Sequence, residues 1–131
     1  MSEENVELVR SAYNDFNSGN PEGVLARLAP DAEWTEPGGG NAPSGTFTGP
    51  ESVGNDVFAK IPENFDEFSV DPDDFKEDGD DGVVVEGRFN GKSKSGIELD
   101  APFTHTFEVK DGKIAKFSAE NGGNYAEAWG G

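Results

Sequence analysis

Two residues carry most of the chemistry that this 131-residue sequence offers: Glu36 and its single histidine, His105. Glu36 follows Trp34 in an alternating segment, where Ala32, Trp34 and Glu36 share one face and Glu33 and Thr35 the other. A carboxylate beside an indole ring loses hydration, and its pKa rises toward the range of a working base. His105 shares the apolar face of its own segment with Phe103, Phe107 and Val109. An imidazole there can donate a hydrogen bond to a carbonyl oxygen or shuttle a proton. Together the two groups suit proton abstraction next to a carbonyl, with the enolate oxygen held by a donor. Asn121 extends a third apolar face, beyond Ala115, Phe117 and Ala119. Plainer readings stand beside these. His105 is equally a hydrogen-bonded wall residue, Glu36 before Pro37 a solvated strand end, and Asn121 a residue serving the turn at Gly122. Tyr13 reads as core with its hydroxyl at a polar edge.

Other chemistries fail on spacing or composition. The chain has no cysteine, which excludes disulfides, iron–sulfur clusters and thiolate zinc sites. The acidic stretch 63–81 does not make a calcium loop. If the glycine of that loop is Gly79, a required ligand position holds Lys76; if it is Gly82, that position holds Gly79. Gly40 and Gly45 have phosphate-loop separation, but Thr46 stands where lysine is needed. The lone histidine forms no His–His metal pair, and neither a metal nor a cofactor is expected.

The elements that must position these groups follow from periodicity and breakers. A helix over 3–18 places Val6, Val9, Tyr13 and Phe16 on one stripe, with Ser2 as its cap. Asn20-Pro21 opens a second helix carrying Val24, Leu25 and Leu28, stopped by Pro30. A strand over 31–36 leads into a loop over 38–49, and a third helix runs from Pro50 through Val53, Val57, Phe58 and Ile61 to Pro62. The rest reads as β: 64–77, a turn at 78–82, a strand over 83–89, and a hairpin at Asn90-Gly91. A strand over 96–109, a hairpin at Asp111-Gly112, a strand over 113–121 and a short helical tail follow. Helices followed by an antiparallel meander predict one α+β domain spanning residues 1–131, its helices on one side of a curved sheet.

Charge narrows the partners. The formal net charge of −17 repels nucleic acid and anionic membranes. Ten Phe, two Trp and two Tyr argue for a folded core rather than disorder. A surface this acidic opposes compaction unless counterions screen it, so a high-salt, halophilic source is expected. The absence of a membrane-length apolar run and of a basic, apolar leader predicts a cytoplasmic location.

Several segments resemble one family. They are Tyr13-Asn14-Asp15-Phe16-Asn17-Ser18-Gly19-Asn20, Leu28 to Pro37 through Trp34-Thr35-Glu36, Gly45 to Val53, and Asp100 to Val109 with Asp111-Gly112-Lys113-Ile114. Their order and spacing resemble the SnoaL-like, ketosteroid-isomerase-like branch of the NTF2-like superfamily, over nearly the whole chain. The resemblance implies a cone: a strongly curved antiparallel sheet wrapped around three helices, an internal apolar pocket, and in many members a homodimer. It puts Glu36 at the general base of the isomerases and His105 near the acid that holds the enolate. The isomerase tyrosine falls on Ala12, and Tyr13 lies about 100° further round the helix. Asn121 stands near an acid used by related cyclases, and an amide cannot accept that proton.

The resulting expectation is isomerase or lyase chemistry on a small apolar or carbonyl-bearing molecule. Glu36 would be the base and His105 the electrophilic partner or acid. Trp34, Phe58, Phe103 and Phe117 would form the wall, and Tyr13 and Asn121 would contact the ligand. Two other readings stay open: a non-catalytic pocket that only binds, and a domain whose open sheet face mediates dimers or hetero-assembly.

Overall fold

The stripe of Val6, Val9, Tyr13 and Phe16 winds as α1 (Ser2–Asn17). The computed structural model describes residues 2–130; the Ser2 side chain, and with it the expected cap, lies outside the described residues. Gly19, with φ of 83°, ends this segment, and α2 (Pro21–Leu25) turns back beneath it. The two pack closely because Gly23 has no side chain: a Cβ there would stand 2.2 Å from the Asp15 carboxylate. That carboxylate receives the Arg27 guanidinium, tying the helix pair together.

Six strands follow: β1 (Leu28–Pro37), β2 (Ser44–Thr48), β3 (Phe65–Asp78), β4 (Gly82–Ser93), β5 (Glu98–Lys110) and β6 (Lys113–Asn121). They form one curved, unclosed sheet in the order β2-β1-β6-β5-β4-β3. All pairings are antiparallel except β1 against β6, which is parallel. The inward face of β5 is strictly alternating: Leu99, Ala101, Phe103, His105, Phe107 and Val109 are all buried. α1 closes over this face, and Asn17 clamps its end to β3 through both amide atoms, at 2.7 and 2.9 Å from the Val70 backbone. Arg88 points outward and pairs with Asp100 at 2.7 Å.

Four boundaries differ from the sequence reading, each for a physical reason. Leu28 leaves the second helix and starts β1, because it pairs with Ile114 of β6 ahead of a bulge. The loop over 38–49 contains β2, an edge strand almost entirely exposed, so no apolar alternation announces it. The third helix is α3 (Pro50–Asp56), then a 3-10 turn at Phe58–Lys60, then α4 (Ile61–Asn64). Proline at 62 would clash with the carbonyl of residue 58 in a continuous α-helix. Asn90-Gly91 makes no turn. β4 runs on to Ser93, and Gly91 is needed instead where a Cβ would lie 2.1 Å from the Glu67 carbonyl oxygen.

The helical tail is α5 (Tyr125–Trp129), which buries Tyr125, Ala128 and Trp129 against the open end of the sheet. The Gly38–Asn41 turn meets it, with the Asn41 N–H donating to the Gly130 carbonyl at 2.8 Å. No helix among the described residues is long and apolar enough to cross a membrane.

Candidate active site

Register sets the distance between the two chemical groups. Trp34 on β1 pairs with Phe117 on β6, and Phe117 with Phe107 on β5. Continued by one residue past the pair Thr35–Ser118, this register brings Glu36 level with Ala119, which pairs with His105. β6 therefore separates Glu36 from His105 by two strand spacings, about 10 Å between backbones. The side chain on the intervening row, Ala119, is only a methyl group. Both groups line one cavity of about 80 Å³ between the sheet and the helices.

Trp34 holds one side of this cavity. Its ring stacks on Phe117 at 3.9 Å and meets Phe58 edge-on at 5.5 Å. Its indole N–H donates to Glu36 Oε2 at 2.6 Å. Burial raises the Glu36 pKa from 4.5 to about 7, and the Trp34 bond, which favours the charged form, only partly opposes that. Near neutral pH the carboxyl is thus poised between its two forms. Trp34→Phe keeps an aromatic ring at this place and removes the donor. The Glu36 pKa is expected to rise further, by about one unit for a charge-assisted bond at a half-buried site, read from a carboxyl-carbon NMR titration.

His105 sits deeper. Phe103 stacks on it at 3.9 Å, and Phe117 and Phe89 face its edges at 4.9 and 5.8 Å. This dry setting lowers the imidazole pKa to about 3, so it stays neutral throughout the physiological range. Tyr13 Oη lies 2.7 Å from His105 Nδ1. Burial pushes the Tyr13 pKa well above 10, so the phenol keeps its proton. We assign Tyr13 O–H as donor to Nδ1, since the reverse arrangement leaves a buried hydroxyl hydrogen without an acceptor. The ring proton is then on Nε2, which has no hydrogen-bond partner among the described residues.

Tyr13, Trp34, Phe58 and Phe117 line the cavity with Glu36 and His105. Phe103 and Asn121 do not. Phe103 backs the imidazole, and Asn121 pairs with Phe103 across the sheet with both amide atoms buried and unpartnered. The sequence reading left out Tyr125 and Trp129, which α5 carries into the lining. Burial, and then the nearby Glu36 charge, raise the Tyr125 pKa above its ordinary value. Two aromatics four residues apart in an otherwise small, polar tail were the available signal.

The model of the SnoaL-like domain matches residues 9–117. No curated protein matches the chain significantly. Among solved structures, an NTF2-like protein of unknown function from Burkholderia pseudomallei is 30% identical, with 89% of each chain covered and a TM-score of 0.82. TerC, co-crystallised with polyporic acid, is 28% identical over 89% of this chain and 90% of its own, with a TM-score of 0.80. A protein of ketosteroid-isomerase-like fold from Catenulispora acidiphila, in complex with trimethylamine, shares the fold at 19% identity and a TM-score of 0.73, covering 87% of this chain and 84% of that one.

Proposed function

The chain belongs to the SnoaL-like domain family, and from its cavity we propose that it catalyses acid/base chemistry, of isomerase or lyase type, on an apolar carbonyl compound. One observation carries this reading: a carboxyl poised near 7 and a neutral imidazole line the same apolar cavity. Ionised Glu36 takes a proton from the carbon next to the carbonyl. The electron pair of that C–H bond moves into the enolate, whose oxygen receives a hydrogen bond from His105 Nε2–H. Protonated Glu36 then returns the proton to the same or a neighbouring carbon. His105 works as a neutral donor and never as an imidazolium, in the manner of electrophilic histidines whose pKa is held low. Tyr13 positions it by fixing its tautomer. TerC was co-crystallised with polyporic acid and the Catenulispora protein crystallised with trimethylamine, which supports small-molecule binding by this fold. The test is exchange of the α-hydrogens of small enolisable ketones for deuterium in heavy water, followed by NMR. Exchange no faster than with buffer alone overturns the reading.

We also infer a homodimer and a high-salt origin. The net charge of −17 supports the second. Screening weakens repulsion among surface carboxylates, so the melting temperature is expected to rise by several degrees from dilute buffer to molar KCl. A flat or falling response counts against halophily.

A further inference from the structure

The cavity of about 80 Å³ has room for little more than the carbonyl head of a substrate, since an apolar cavity of about 150 Å³ is what accepts a benzene ring. Beside it, between α2, α3 and α4, lies a groove of about 770 Å³. Phe16, Phe58, Ile61 and Phe68 line both spaces. These four are only partly buried, so the partition between cavity and groove consists of apolar side chains with surface on both sides. Phe16 touches Phe58 and Phe68 edge-on, at 5.4 and 6.2 Å. Beyond the partition the groove continues over Leu25, Ala26, Ala59 and Pro62, while its ionisable residues are the exposed acids Glu22 and Glu51.

We propose that this groove holds the apolar tail of a ligand whose carbonyl head lies between Glu36 and His105, so that the substrate class is a carbonyl compound with an extended, uncharged tail. Continuity through the four shared side chains ties the groove to the cavity. The two acids disfavour an anionic tail and tolerate a neutral one. The inference rests on the reading of the cavity as a carbonyl site.

A series of 2-alkanones from four to twelve carbons, titrated against tryptophan fluorescence, tests it. Trp34 and Trp129 both line the cavity and report on occupancy. Once the chain passes the partition, Kd is expected to fall about fourfold per added methylene, the equivalent of about 0.8 kcal/mol per buried CH₂. Ala59→Glu and Ala26→Glu each place a charge in the groove at an exposed position, and each is expected to flatten that dependence. Lys110→Gln, exposed on the far hairpin, makes the net charge more negative by one, as each groove variant does, and leaves the slope unchanged. A flat series in the unaltered protein, no binding at any length, or a slope that both groove variants preserve overturns the proposal. So does a groove closed by a second copy of the chain, seen as a dimer that both groove variants dissociate without changing the slope. Glu36→Gln separates the two readings. If it leaves α-hydrogen exchange unaffected while the length dependence persists, the base assignment fails and the groove stands.

Discussion

Glu36→Gln is expected to lower α-hydrogen exchange by about 10²–10⁴-fold, the usual contribution of a positioned general base. The amide keeps the volume and can still accept the indole hydrogen of Trp34, but it cannot take a proton from carbon. The pH dependence carries the same signature. Only ionised Glu36 is active, so kcat/KM should climb with pH and level off above a midpoint near 7. His105, with its pKa near 3, adds no second limb between pH 5 and 9. A midpoint near 4.5 would mean a carboxyl open to water, and undiminished exchange by the Gln variant would remove Glu36 from the chemistry.

The same substitution is expected to stabilise the fold at high pH. In the unfolded chain Glu36 ionises at 4.5, and in the folded protein at about 7. Between those values the native state binds more protons than the unfolded one, so stability falls as pH rises and the loss is complete above 7. Solvent screening at a half-buried site reduces the penalty to about 1–2 kcal/mol. His105 acts in the opposite sense. Its folded pKa is lowered from 6.5 to about 3, so the unfolded state binds more protons and stability is lost as pH falls below 6.5. The two slopes oppose each other between 4.5 and 6.5, flattening the curve there. Glu36→Gln should therefore match the parent at pH 4, exceed it at pH 8, and show a rising limb between 4.5 and 6.5, read from urea midpoints. A base held ready in an apolar cavity costs stability, as expected where function and fold compete.

What could be read before the structure was whatever two-residue and 3.6-residue periods determine. The β5 alternation puts His105 among Phe103, Phe107 and Val109, and the structure buries all four on one face. The Trp34–Glu36 spacing likewise implies a carboxyl against an indole, found at 2.6 Å. Pairings between distant segments carry no local signal. The parallel match of β1 with β6 sets the span between Glu36 and His105, yet it depends on which strands meet after the chain has crossed the 83 residues from Trp34 to Phe117. The Tyr13–His105 bond joins residues 92 apart. It depends on how α1 is rotated over the sheet, which the Asn17 clamp on β3 helps to fix and which no apolar stripe specifies to within one residue. β2 was invisible because an exposed edge strand needs no apolar face.

That long-range bond makes the second large effect specific. His105→Phe fills the same space, keeps the stacking on Phe103, and removes the one donor assigned to the enolate oxygen. Loss of such a donor costs about 10²–10³ in kcat. The midpoint near 7 should persist, because Glu36 still titrates. Tyr13→Phe leaves the imidazole in place but frees its tautomer, so part of the population carries its proton on Nδ1 and presents a bare Nε2 to the substrate. Its loss should be smaller than that of His105→Phe, and in the double variant Tyr13→Phe should add nothing further, because Tyr13 acts through the ring that is no longer there. A ¹⁵N spectrum of the imidazole gives an independent readout: Nε2 protonated and Nδ1 bare in the parent, mixed in Tyr13→Phe. If the parent instead carries its proton on Nδ1, Tyr13 is the acceptor, Nε2 cannot donate, and His105 has no electrophilic role in this cavity.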